Sequence, residues 1–159
     1  NEIEINELRE RIVYIPQHPR LFNRTLEDNL TYGLPNDITA ETILSFLKNN
    51  GFTELEQIFR KRMHEKVGKL GSHFSGGQIQ IIFLIRAFFK KCSLICADEI
   101  TSALDPVATQ QIKKMLNIIS KDRALVLITH DMEMTKDMDR IIKFEKGKII
   151  SDIRKNKRS

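Results

Sequence analysis

Leu94-Ile95-Cys96-Ala97-Asp98-Glu99 is the stretch that decides the fold: a short apolar run ending abruptly in two carboxylates. Four consecutive apolar residues bounded by polar ones read as a buried strand of a parallel sheet. Asp98-Glu99 then stands at the carboxyl edge of that sheet, where α/β folds bind ligands. Downstream, Asp105-Pro106 opens a helix with Ile112, Met115, Leu116 and Ile119 on one face, and Ala124 to Thr129 forms the next apolar strand. Upstream, Gly76 to Lys90 reads as a strongly apolar helix. Arg11 to Ile15 reads as a strand stopped by Pro16. From Thr25 to Gly71 the spacing of Ile43, Leu44 and Leu47, then Leu55, Ile58 and Phe59, is helical. Arg140 to Glu145 and Lys148 to Ile153, joined at Lys146-Gly147, predict a hairpin. Strands alternating with helices define an α/β protein with a small helical lobe inserted between two sheet strands.

The 159 residues, 41% of them hydrophobic, suffice for a buried core. The longest apolar stretch, Ile79 to Phe89, is interrupted by Gln80 and Arg86 and is shorter than the ~18 to 20 residues of a bilayer span. No signal-peptide pattern opens the chain. Cys92 and Cys96 match neither a disulfide framework nor a zinc pattern, which favours a cytosolic, reducing compartment. The net charge of +5 includes the tail residues Arg154, Lys155, Lys157 and Arg158. No aromatic residues interleave with that tail, so it reads as a solvated terminus and no nucleic acid is expected.

Four groups of residues carry chemistry. Ser75-Gly76-Gly77-Gln78 puts backbone N–H groups at a helix N-terminus, where the dipole favours an anion; the same string also reads as a serine N-cap with a flexible turn. Asp98 could hold Mg²⁺, usually through water, and Glu99 could act as general base toward an attacking water, or the pair could simply carry the strand into solvent. His130 ends the following strand; it could hydrogen-bond a γ-phosphate, or be an ordinary turn residue. Gln17, after Pro16, could orient water or touch Mg²⁺, although alone it says little.

The ordered series from Gln17 through Ser75–Gln78, Asp98-Glu99 and Ser102-Ala103-Leu104-Asp105 to His130 resembles the ATP-binding cassette (ABC) ATPase family. The resemblance extends from about Ile5 to Ile153. Tyr14 to Gln17 is similar to that family's Q-loop, Phe74 to Gln78 to its signature, and Leu94 to Glu99 to its Walker B strand. Ser102 to Asp105 is similar to its D-loop, and His130 to its switch histidine. Leu21-Phe22, Thr25-Leu26, Asn29-Leu30, Val67-Gly68 and Gly71 resemble the exporter branch.

The resemblance implies a partial P-loop NTPase (RecA-like) core with an inserted helical subdomain, the core at about 1–22 and 87–159 and the lobe at about 23–86. It implies ATP and Mg²⁺ as cofactors. Glu99, His130 and Gln17 would be catalytic, and Asp98 and Gln17 would serve the metal. Ser75, Gly76, Gly77 and Gln78 would face the ATP of a second nucleotide-binding domain paired head to tail, with Asp105 at the seam. A transmembrane domain would be driven through the region around Gln17 and the lobe, on the cytoplasmic face of a membrane.

The sequence also departs from the family. No Gly-x-x-x-x-Gly-Lys-Ser/Thr phosphate loop occurs, and with sixteen residues before Gln17 a truncated domain is expected, unable to hydrolyse ATP alone. Ile79 and Ile81 replace arginines, Phe74 replaces leucine, and Lys66 and Lys69 take places usually acidic in exporters, Glu65 standing one place early. One alternative is a non-catalytic subunit donating its signature to a partner ATPase. Another, a chromosome or DNA-repair ATPase, sits badly with the compact lobe between Gln17 and Ser75.

Overall fold

The computed structural model describes residues 4–155 and divides into two compact units, one ending at Ile128 and the other beginning at Thr129. Lys157 and Arg158 of the basic tail lie outside the described residues.

The first unit is built on three parallel strands in the order β1-β2-β3: β1 (Ile12–Ile15), β2 (Leu94–Asp98) and β3 (Ala124–Ile128). The register pairs Ile15 with Ala97 and Ala97 with Leu127, so Ile15, Ile95, Ala97 and Leu127 share one face while Tyr14, Cys96, Asp98, Val126 and Ile128 share the other. Ile15, Ile95 and Ala97 are fully buried. A helix, α1 (Ile5–Arg11), leads into β1; nothing in the apolar spacing announces it, and Arg11, expected in the strand, is its last residue. None of its residues is buried, which is why no periodic apolar stripe was there to read.

Between β1 and β2 run four α-helices and a short 3₁₀ turn at Lys69–Gly71. The first is α2 (Leu26–Thr31), started by Thr25 and Asp28 in a reciprocal capping box. Asn29 within it is wholly buried yet satisfied, its Oδ1 accepting from Phe22 N and its Nδ2 donating to the carbonyls of Phe22 and Thr25. Next come α3 (Ala40–Asn49), burying Ile43, Leu44 and Leu47, and α4 (Thr53–Arg62), burying Leu55 and Phe59. Buried Glu56 is paired with Arg60, whose guanidinium also forks onto Glu41 of α3 and so ties the two helices.

The fourth helix, α5 (Gly76–Phe89), is apolar on most sides and buries Ile81, Ile82, Leu84 and Ile85; it packs on α2, on β1 and along α6 (Pro106–Ile119). Its fourteen residues are continuous, so the lobe boundary expected near residue 86 falls inside a helix shared by lobe and sheet. Two departures from the family pattern have packing explanations here. Ile81 is a core side chain, 1% exposed, and Phe74 sits edge-on to Phe59 with the Arg62 guanidinium 4.0 Å above its ring. The α6 helix opens as expected, Asp105 accepting from Ala108 N with Pro106 in the first turn, and buries the four residues its spacing named.

The second unit contains the antiparallel hairpin β4 (Arg140–Glu145) and β5 (Lys148–Arg154). Lys146 and Gly147, at φ 47° and 75°, make the two-residue loop, a pair of positive angles that suits the twist of the strands. An Arg140–Asp152 fork crosses it and holds the Asp152 carboxyl below its ordinary range.

Candidate nucleotide-processing site

The end of β2 gathers side chains from three distant parts of the sequence. Gln17, two residues beyond β1, donates from Nε2 to Glu99 Oε2 and to Ser102 Oγ, each at 3.1 Å. Its own carbonyl accepts from Gln80 Nε2 of α5 at 2.9 Å. Tyr14 donates its hydroxyl to Asp98 Oδ2 at 2.8 Å, and the adjacent carboxylate raises the phenol's pKa. Parallel pairing explains these meetings: Tyr14 lies opposite Cys96, so its ring reaches Asp98 on the same face one step further along.

Glu99 leaves the strand in a left-handed conformation, φ 44°, unusual for a residue with a Cβ. Its N–H donates to Ile128 O at 2.8 Å, carrying the β2–β3 pairing one residue past the last paired residue, Asp98. The turn costs about 1–2 kcal/mol in local sterics, and its effect is to aim the glutamate away from Asp98 toward Gln17. Ile100, 1% exposed, anchors the chain immediately afterwards.

The second cluster surrounds the N-terminus of α5. Ser75 Oγ accepts from Gln78 N, and Gln78 Oε1 accepts from Ser75 N, closing a capping box. The glycines have a packing reason besides any ligand: a Cβ on Gly77 would stand 2.7 Å from the Ala108 Cβ, and one on Gly76 3.1 Å from Leu104 Cδ2. Ser75, Gly77, Gln78, Asp105 and Ala108 line a shallow hollow of about 150 Å³ between the starts of α5 and α6.

His130 belongs to the second unit, exposed in the bend after β3, beside Thr129, whose Oγ1 accepts from Asp131 N. The first unit thus brings together Gln17, Glu99 and Ser102, with Tyr14 on Asp98, and separately Ser75, Gly77, Gln78 and Asp105. Tyr14 and Gln80 were not singled out from sequence. A hydroxyl one residue before the end of β1 and a lone amide in an apolar helix are the signals the sequence offers.

Among the described residues no cluster of three or more metal-ligating side chains occurs. Asp98 and Glu99, at and just beyond the end of β2, are carboxylates of the kind Mg²⁺ takes in ones or twos, water and phosphate oxygens completing its shell.

The first unit, mixed α/β with three parallel strands, has the P-loop NTPase fold of the proteins it matches. The family model described as ABC transporter matches residues 1–102, and the chain belongs to that family. It is 31% identical over 150 residues to an ATP-dependent lipid A-core flippase of Idiomarina loihiensis, covering 94% of this chain and 26% of the relative. It is 34% identical over 157 residues to an ABC multidrug transporter of Trichophyton rubrum, covering 94% of this chain and 12% of that one. A bacterial Atm1-family ABC exporter with ATP bound shares the fold at a TM-score of 0.80 and 24% identity, over 92% of this chain and 26% of the exporter. The chain thus spans about a quarter or less of the length of these proteins. No helix among the described residues is long and apolar enough to cross a membrane.

Proposed function

We propose that this chain supplies the hydrolytic and signature halves of an ATP-hydrolysing domain that powers export by an ABC transporter. The observation that carries the reading is the Gln17 amide held at 3.1 Å from both Glu99 Oε2 and Ser102 Oγ, across more than eighty residues of sequence. An amide donating to a carboxylate fixes the direction in which that carboxylate points, as a general base requires. Glu99 would take a proton from the attacking water, Gln17 would align water and carboxylate, and His130 would contact the γ-phosphate. Asp98, steadied by Tyr14, would hold Mg²⁺ through water. Mg²⁺, when bound, neutralises charge on the phosphates.

The start of α5 supports the second half of the reading. The fourteen-residue helix begins beside a hollow lined by Ser75, Gly77, Gln78 and Asp105, and the N-terminus of a helix attracts an anion. Ser75, Gly76, Gly77 and Gln78 would there meet ATP carried by a second nucleotide-binding domain in a head-to-tail pair. A transmembrane domain, with this chain on the cytoplasmic side, would be the mechanical partner. The sequence contains no phosphate loop, so the 159 residues alone are expected to bind Mg²⁺-ATP weakly and not to turn it over.

The test is Glu99→Gln in the full-length transporter. ATP binding should persist while phosphate release falls by about 10²–10⁴-fold, the range attached to a general base. Turnover within a few-fold of wild type would assign the base elsewhere.

A further inference from the structure

Gln80 is the one amide among the buried side chains of α5, 4% exposed between residues that are otherwise glycine, alanine or aliphatic. Its Nε2 makes a single bond, to the Gln17 carbonyl, and its Oε1 is buried with no hydrogen-bond partner among the described residues. The orientation of the amide is dictated by chemistry, because a carbonyl can only accept and the –NH₂ end must face it. A buried acceptor left unpaired is unfavourable. An apolar residue of the same size would remove that penalty but would take from the Gln17 carbonyl its donor, so the two effects on stability oppose each other.

What the bond achieves lies one residue away. The same Gln17 whose carbonyl is held by α5 carries the side-chain amide that bridges Glu99 and Ser102. Five residues before Gln80, the same helix begins at Ser75, beside the hollow shared with Asp105. A hydrogen-bonded helix moves as a rod, so displacement of its N-terminus reaches Gln80 and, through one bond, the backbone of Gln17.

We propose that Gln80 is a positioning residue that holds the Gln17 amide against Glu99 and makes that contact depend on where α5 sits. The inference rests on the hydrolytic role proposed above for Gln17 and Glu99. Gln80 touches no nucleotide; it acts through the main chain of residue 17.

The experiment uses the full-length transporter with Gln80→Met, a swap of similar volume that deletes both the donor and the unpaired acceptor. Tm should change little, because one unpaired acceptor is removed while the Gln17 carbonyl loses its donor. The kcat should fall roughly ten-fold, the order of one lost neutral hydrogen bond expressed in the transition state, with KM for ATP unaltered, and amide exchange at residues 17 and 18 should quicken. In a Gln17→Ala background, Gln80→Met should have no further effect on kcat, because the group it positions is gone. Gln80→Leu, apolar and without any donor for the carbonyl, should lose kcat as Gln80→Met does.

A Gln80→Met protein that melts much lower or fails to fold makes the residue a core-packing one and overturns the inference. So does wild-type kcat, or an effect that adds fully to Gln17→Ala. If the wild-type transporter hydrolyses ATP but Glu99→Gln does so equally well, the hydrolytic reading itself fails and this inference falls with it; a Glu99-dependent enzyme indifferent to Gln80→Met refutes the inference alone.

Discussion

The two faces of the three-stranded sheet differ in how much water they meet. On one, Ile15, Ile95 and Ala97 are sealed from solvent; on the other, Tyr14 is 58%, Val126 48% and Ile128 51% exposed. Yet the strands contribute apolar residues to both faces, and β3 reads Ala-Leu-Val-Leu-Ile without a polar break. That unbroken run is the pattern of a parallel strand buried on two sides. Strand patterning therefore carries the demand for two covers, whereas the side chains with chemical reach, Asp98 and its partner Tyr14, lie on the open face. One face holds the fold together and the other presents the site.

The largest expected effect separates the two faces by stability. Ile95→Ala on the sealed face should cost about 2–5 kcal/mol through lost burial and a residual cavity. Val126→Ala on the open face, where about half of the side chain already meets water, should cost less than about 1 kcal/mol, since far less apolar area is removed from a buried setting. Urea denaturation of both variants of the same chain measures the contrast. Equal losses would mean that the open face is covered in solution and that the comparison is wrong.

The next effect sits away from the sheet, where the start of α5 meets the start of α6. Gly77→Ala places a Cβ 2.7 Å from the Ala108 Cβ, closer than carbon atoms approach without a backbone shift. Overpacking of this kind costs about 1–3 kcal/mol, and Ala108→Gly in the same chain should recover much of it. Thermal unfolding of the single and double variants reads this out. Recovery would show that the glycine is needed for helix packing independently of any ligand, and a Gly77→Ala protein of unchanged Tm would leave ligand approach as its sole reason.

How much was visible beforehand follows the same division. The helices α3, α5 and α6, the three parallel strands and the hairpin follow from apolar period and from Pro106 and Lys146-Gly147, because burial on one side leaves a periodic trace. The α1 helix left none, since nothing in it is buried. Asp98 and Glu99 stand out as polar residues at the end of an apolar run and Ser75 as the residue before paired glycines, whereas Gln17 says little alone and counts only within the ordered series that resembles the family. Tyr14 and Gln80 do not stand out, for the converse reason: a tyrosine is ordinary in a strand, and an amide inside an apolar helix looks like noise until its single partner is seen. Both act through contacts across more than sixty residues of sequence, which spacing along the chain cannot register.

The smallest effect tests the open face at its most specific contact. The Tyr14 hydroxyl donates to Asp98, and losing its proton would put two negative charges side by side, so its pKa is raised above the ordinary 10. The sign follows from that direction. A group whose folded pKa exceeds its unfolded value contributes stability fully below the unfolded pKa and loses it as pH rises through the folded one. The stability gap between wild type and Tyr14→Phe should therefore be constant at neutral pH and close only above pH 10. Subtracting the tyrosinate absorbance of Tyr14→Phe from that of wild type isolates this single phenol, because Tyr32 is common to both. Its midpoint should lie above 10 and drop in Asp98→Asn, where the opposing charge is removed while the shape remains. The shift should be modest, since the ring is more than half exposed and water screens the pair. A midpoint at or below 10 in the wild type would mean that the hydroxyl is turned to solvent, leaving the Asp98 carboxylate without its support on the open face.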